Sequence, residues 1–390
     1  MEFSERIARI SVSSTAAVVM RAEKLKASGI NLVDFGAGEP DFATPENIKR
    51  AALEALQQNF TKYTATGGTR DLKQAIVDRH AADFGSNYTL EECLVTVGGK
   101  HAIFEAVAAT VNSGDEVILP VPYWVSFLDI VHYASGKAVL LETREEDNFA
   151  VRAAAVEKLV TPKTRMIIIN SPSNPAGAVA PDEEMEKLLA LAVKRNILLM
   201  SDETYCHFIY GARKPFSLGA SRNRENLILI GSLSKTYAMT GWRVGYALGP
   251  AKLIANMLKL QSHSTSNPTS FAQKGAVEAL RGPQDSVQRM LAEYLRRRDR
   301  MVAGLRAIPG ITCMNPEGAF YVYPNVGSYL RRDGLGDTTG LAEKLLEDAH
   351  VAVVPGSGFG THVHVRLSYA TSLEQIDEGL SRLKNFFAQY

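Results

Sequence analysis

An α/β fold built on a mostly parallel sheet, with a smaller α+β domain after it, is the architecture that these 390 residues predict. Three observations predict it. Short apolar runs alternate with amphipathic segments between about residues 70 and 250, the rhythm of repeated βα units. Three consecutive runs stop at polar clusters, as strands do where a crevice opens beyond their carboxyl ends. After Gly282 and Pro283 the pattern changes to a long amphipathic helix and then to two short strands.

The runs fall at 93–97, 116–119, 138–141, 166–169, 197–200 and 227–230. Apart from Thr96 and Glu116 they are apolar at consecutive positions, which is how a strand covered on both faces reads. Before the second, NSGDE (112–116) carries a turn signature, and Pro120 and Pro122 are expected to stop the strand. The loop bearing Tyr123 and Trp124 follows. In the long helix Val287, Met290, Leu291, Tyr294, Leu295, Met301, Val302 and Leu305 are spaced for one apolar face, and RRRDR from Arg296 is assigned to the wet side. Segments 319–323 and 363–367 read as strands. Val363, Val365 and Leu367 share one face by period-two alternation, so Arg366 faces the other way, where an arginine on its own reads as structural or solvated. No fixed-period repeat or low-complexity segment interrupts the chain.

Length suggests about two domains, at roughly 150 residues each. Apolar residues make up 46% and charged residues 22%, ordinary for a globular enzyme, and a net charge of +1 gives no general field for nucleic acid or anionic lipid. Small polar substrates fit better. Cys93, Cys206 and Cys313 are far apart and form no CxxC pair, which points to a reducing compartment. The N-terminus lacks the basic start and apolar core of a signal peptide, and no run reaches the ~18 apolar residues of a membrane span. A cytoplasmic protein is expected. His101, His362 and His364 have no Cys, Asp or Glu cluster to complete a metal shell, so none of them is assigned to metal.

The chemistry concentrates after the last three runs. The stretch GSLSKTYAMTGWR (231–243) sets Lys235 among Ser232, Ser234 and Arg243, a group suited to a phosphorylated ligand. NSPSNPAG supplies Asn174, and SDETY supplies Asp202 and Tyr205. An amide, a carboxylate, a phenol and a lysine would then converge on one crevice. A lysine beside a carboxylate and a phosphate site suggests an aldehyde cofactor held as a Schiff base, with pyridoxal phosphate as the cofactor that needs those partners. Blander readings stay open at this point: Asp202 as a helix N-cap, Asn174 as a turn former, Tyr205 and Trp124 as core, and the Gly98–Gly99 pair as an ordinary helix start.

Eight motifs in order, FGAGEPDF (35–42), KYTATGGTRDLKQAI (62–76), VGGKHAIF (97–104), PYWVSF (122–127), NSPSNPAG (170–177), SDETY (201–205), SLSKTYAMTGWRVGY (232–246) and VRLSYA (365–370), span nearly the whole chain. In these the sequence resembles the fold-type-I pyridoxal-phosphate aminotransferases, and among them the bacterial aspartate aminotransferases of the Ib branch. The resemblance implies the aspartate aminotransferase-like fold: an N-terminal arm contributing to the small domain (1–40), a large cofactor domain with a seven-stranded sheet (41–285) and a small C-terminal domain (286–390). It implies Lys235 as Schiff-base lysine and proton shuttle, with Asp202 on the pyridine nitrogen. Tyr205 and Asn174 would meet the ring oxygen, and Trp124 would stack on the ring. Gly98, Gly99, Ser232, Ser234 and Arg243 would hold the phosphate, joined by Tyr63 from the second subunit of a homodimer. It also implies Arg366 and Gly38 at the substrate α-carboxylate, with Lys100 and Thr15 toward the distal carboxylate. The stretch QSHSTSNP (261–268) lacks the arginine that many relatives use there. The implied reaction is ping-pong amino transfer from L-aspartate to 2-oxoglutarate, with prephenate, aromatic or alanine-type substrates as alternatives and a β-lyase as a different class.

Overall fold

A computed structural model describes residues 3–12, 14–331 and 335–390, with the side chains of 14–17 and 19 outside that description. Seven strands form the main sheet: β1 (Cys93–Thr96), β2 (Glu116–Val121), β3 (Lys137–Glu142), β4 (Thr164–Asn170), β5 (Leu198–Asp202), β6 (Leu227–Ser232) and β7 (Gly245–Leu248). Their spatial order is β1-β7-β6-β5-β4-β2-β3. All neighbours are parallel except β7, which runs antiparallel to β1 and to β6. Six strands match the apolar runs. The seventh, GYAL, has no β-branched residue and escapes that reading.

Period-two alternation sends successive side chains of each central strand to opposite helical layers. Ile168, Met200, Ile228 and Ile230 pack with Ala102, Ile103, Val107 and Met257 of helices Gly99–Thr110 and Ala251–Ser262. Ile167, Ile169, Leu199 and Leu227 pack with Met185, Leu188 and Ala192 of helix Asp182–Arg195. Burial on both faces is the reason these strands read as unbroken apolar runs. Helix Asp182–Arg195 also carries Asp182, Glu183 and Glu184 in its first turn and Lys194 and Arg195 in its last, matching the helix dipole at both ends.

Proline does not end β2 where expected: the strand passes through Pro120 to Val121. The Val121 carbonyl accepts from the Thr143 amide on the β3 side, so Pro120 turns its ring nitrogen toward β4. Pairing with β4 has already stopped at Ile118, and the missing donor leaves no ladder bond unmet.

A second layer holds the antiparallel strands β8 (Tyr321–Val322), β9 (Val354–Pro355) and β10 (Val365–Ser368) in the order β9-β10-β8. Val33–Asp34 pairs in parallel with Val351–Ala352 and ties the start of the chain to its end. The strands expected at 319–323 and 363–367 are shorter or shifted. Val363 precedes β10 and is 39% exposed, so only Val365 and Leu367 share the buried face. The long helix is Asp285–Arg306. Its arginine run is not all wet: Arg297 is buried, paired with Asp41 at 2.8 Å and Glu293 at 2.9 Å, and Arg298 donates to the Pro316 carbonyl at 3.0 Å. Asp41 and Pro316 come from outside the helix, which periodicity cannot reveal.

Candidate active site

β4, β5 and β6 are neighbours, and their carboxyl ends bring Asn170, Asp202 and Ser232 side by side. Helix Leu233–Thr236 starts directly on β6, with the Ser232 hydroxyl accepting from the Ser234 amide at 3.2 Å. This abrupt strand-to-helix turn projects Lys235 into the crevice, where its ammonium donates to the Gly38 carbonyl. Burial lowers the Lys235 pKa to about 8; Glu39 opposes this, while the cations of Arg366, Arg243 and Lys100 reinforce it. A lysine in that range supplies neutral amine near neutral pH.

Asp202 is 5% exposed, and burial raises its pKa to about 6 against the hydrogen bonds from Thr204, whose amide donates at 3.1 Å. Among the described residues it has no cationic partner. Tyr205, also buried, shares a 2.9 Å hydrogen bond with the Tyr321 hydroxyl. The Asn174 amide group lies beneath Arg366, and its backbone N–H donates to Asn170 at 2.8 Å.

A cradle for an anion lies at the start of helix Gly99–Thr110, where unpaired N–H groups and the helix dipole favour negative charge. Gly98 has φ +83°, and a Cβ there would stand 2.5 Å from Arg243 Nη2, so only glycine lets that guanidinium close on the helix start. Gly245 of β7 is equally constrained, since a Cβ would fall 2.3 Å from the Gly99 nitrogen. Arg243 donates to the Thr240 carbonyl at 2.8 Å and has no carboxylate partner among the described residues. Lys100 Nζ sits 5.0 Å from the Trp124 ring, and burial followed by the Arg243 charge lowers its pKa.

Arg366 faces away from the apolar side of β10, as alternation requires, but it points into the protein and is 2% exposed. Its Nη1 donates to Asn174 Oδ1 at 3.1 Å and its Nη2 to the Gly36 carbonyl at 2.7 Å. The guanidinium lies 4.6 Å from the Tyr321 ring and 5.3 Å from that of Phe359. Its Nε has no partner, and no carboxylate pairs with it among the described residues. A buried cation without a counter-ion is expensive, and a ligand carboxylate meets that need.

The donor set fits a phosphorylated aldehyde with a basic ring nitrogen. There is an amine of lowered pKa, a buried carboxyl without a cation, and a guanidinium without a carboxylate partner at a helix start that Ser232 also approaches, with Ser234 two residues on. Lys235, Asp202, Tyr205, Asn174, Gly98, Gly99, Ser232, Ser234, Arg243, Trp124, Lys100, Gly38 and Arg366 belong to the residues surrounding this crevice or its walls. Tyr63 stands apart at 92% exposure. The Thr15 side chain lies outside the described residues. Tyr321 and Phe359, which flank Arg366, are not singled out by the sequence: in GAFYVYP and GSGFG they look like ordinary core aromatics. Among the described residues no group of His, Cys, Asp or Glu is placed to hold a metal, and the three cysteines are unbridged.

Asp202 also gives a stability signature. Between about pH 4 and 6 the folded apoprotein keeps a proton that the unfolded chain has released, so stability falls as pH rises through that window and stays lower above it. Asp202→Asn removes this penalty while keeping an oxygen for the Thr204 amide. Urea unfolding of the apoprotein at pH 7 is expected to show a gain of up to about 3 kcal/mol, together with weaker cofactor retention. A variant less stable than the parent at pH 7, with the slope between pH 4 and 6 unchanged, would contradict this.

Residues 30–383 match the family model for aminotransferase class I and II. The chain is 43% identical to an aspartate aminotransferase of Bacillus sp. (strain YM-2), with 98% of each covered. It is 41% identical over the full length of both chains to an aspartate/prephenate aminotransferase of Nitrosomonas europaea. The fold superimposes on an aspartate aminotransferase of Thermus thermophilus solved with maleate, at a TM-score of 0.94 and 41% identity over 99% of each chain.

Proposed function

Because the chain belongs to the class I and II aminotransferases, we propose that it transfers the amino group of L-aspartate to 2-oxoglutarate in two successive half-reactions. One observation carries the reading: a lysine of lowered pKa shares a crevice with a buried arginine that lacks a counter-ion. Pyridoxal 5′-phosphate is the cofactor, and it supplies an aldehyde for covalent capture of the amine and a ring that accepts the electron pair left at Cα.

The protein's own groups do the rest. Lys235 would take the proton from the substrate Cα and hand it to the cofactor carbon that carried the aldehyde, which its lowered pKa permits near neutral pH. Asp202 would hold the pyridine nitrogen in its protonated form, and that cation would in turn favour the carboxylate over the neutral acid. Gly98, Gly99, Ser232, Ser234 and Arg243 would fix the phosphate, Trp124 would cover the ring, and Tyr205 and Asn174 would meet its oxygen. Arg366 takes the substrate α-carboxylate in a bidentate fork steered by Asn174, with the Gly38 backbone beside it. Lys100 would take the distal carboxylate, since 261–268 contains no arginine. Thr15 is assigned to the same end.

The fully exposed ring of Tyr63 supports a homodimer in which it reaches the phosphate of the other subunit; light scattering of active enzyme should give twice the chain mass. Residues 41–285 and 286–390, with 1–40 as arm, are the proposed domains. Cytoplasmic residence is supported by three unbridged cysteines and by the absence, among the described residues, of a helix able to cross a membrane; recovery in another fraction would count against it.

The visible band of the bound cofactor tests the substrate. Aspartate should bleach it and 2-oxoglutarate should restore it. An unchanged band with aspartate, alongside bleaching by an aromatic amino acid, would defeat this assignment. Prephenate is the second acceptor to try, because relatives at this level of identity carry aspartate/prephenate names. Pyruvate and ammonia from a cysteine conjugate, without a 2-oxo acid, would instead mark a β-lyase.

A further inference from the structure

Glu145 begins the short turn Glu145–Asp147 just beyond β3, yet its carboxylate is bound by the second layer. Oε1 accepts from Thr312 Oγ1 at 3.2 Å; Oε2 accepts from Asn325 Nδ2 at 3.2 Å and lies 3.3 Å from His364 Nε2. The three partners form one row, because Thr312 bridges to Asn325 and Asn325 to His364 in antiparallel fashion. Burial would raise the Glu145 pKa, but His364, Asn325 and Thr312 together hold it below the usual carboxylate range. The carboxylate is therefore a three-way clasp between the two layers.

Both ends of the clasp lead to the crevice. His364 stands two residues before Arg366; its ring lies flat on Tyr323, 4.8 Å away at 9°, and meets Phe149 edge-on at 5.5 Å. Phe149 follows that turn, its amide donating to the Arg144 carbonyl at 2.8 Å, and it packs with Tyr323, Val354 and Phe359. In the other direction, the Thr143 amide donates at 3.3 Å to the Val121 carbonyl, three residues before Trp124. The segment 143–149 thus spans from the loop of Trp124 to the strand of Arg366.

We propose that Glu145 is a positioning residue: by gripping Thr312, Asn325 and His364 it seats β10 against the Trp124 side of the crevice, so that the Arg366 fork meets a substrate carboxylate in register. A planar two-point contact tolerates little displacement, and misplacement by about 1 Å is worth up to about 100-fold in comparable cases. The inference rests on Arg366 as the carboxylate site, as proposed above.

Maleate, a dicarboxylate without an amino group, is the probe, titrated into holoenzyme and followed by the cofactor spectrum. Glu145→Ala should weaken maleate binding about tenfold or more and raise KM for aspartate and for 2-oxoglutarate in parallel, with kcat changing less than about threefold. Glu145→Gln, which keeps one of the two acceptor oxygens and replaces the other with a donor, should lie between. Glu146→Ala removes the same charge from an exposed neighbour and should change nothing. Unchanged affinity in Glu145→Ala, an equal effect in Glu146→Ala, or a fall in kcat alone would overturn the proposal. Should Glu145→Ala not fold, Glu145→Gln and Asn325→Ala, singly and combined, decide it: non-additive losses of maleate affinity support the clasp, and independent ones overturn it. A parent enzyme that does not bind maleate would overturn the reading of Arg366 instead.

Discussion

Lys235→Ala is expected to lower steady-state turnover by about 10⁴-fold or more, since the proposed reaction uses this one amine as both nucleophile and proton carrier. Lys100 sits against the Trp124 ring. Borohydride reduction of the parent holoenzyme followed by peptide mapping should place the label on the peptide containing residue 235. The phosphate cradle is untouched in the variant, so cofactor should still bind without a covalent link. A second readout comes from linkage. The folded pKa of about 8 lies below the unfolded value, so the parent apoprotein should gain stability as pH rises from about 8 toward 10.5, and the alanine variant should lose that slope. Transamination by the variant at the parent rate would remove Lys235 from the chemistry.

Arg366→Lys is expected to fail nearly as badly as Arg366→Leu in kcat/KM. Removing one member of a buried, hydrogen-bonded charge pair costs about 2–5 kcal/mol, which corresponds to roughly 30- to 5000-fold. Lysine keeps the charge but cannot donate from two nitrogens in one plane, as Arg366 does toward Asn174 and Gly36. The loss should be shared by every substrate with an α-carboxylate and should be independent of the side chain. A lysine variant with parental kcat/KM for aspartate would show that the fork is not used. A deficit confined to dicarboxylic substrates would assign Arg366 to the distal carboxylate.

How much of the site could be read in advance depends on how local each part is. Lys235, its serines and Arg243 fall within twelve consecutive residues, and a strand followed at once by a helix start is enough to turn Lys235 into a crevice. Asp202 and Asn174 were readable for the same reason, because each lies at or just beyond the end of an apolar run. The direction of Arg366 followed from alternation, but its burial did not. That depends on Tyr321 and Phe359 arriving from other segments. Arg297 shows the same gap, since its helical position predicted solvent and Asp41, 256 residues away, captured it.

Hydrophobic spacing, strand-end polar clusters and ordered motifs determined by themselves the α/β class, six strands of the main sheet and the choice of Lys235 as the candidate lysine. They could do so because side-chain period and turn chemistry act over a few residues. Only the tertiary structure decided which charges would be deprived of water and which would be paired. It brought 36, 174 and 366 together, and likewise 145, 312, 325 and 364, by long-range packing. The physical reason is that desolvation and hydrogen-bond geometry depend on neighbours in space, and a lowered lysine pKa or an unpaired buried arginine exists only once those neighbours have assembled.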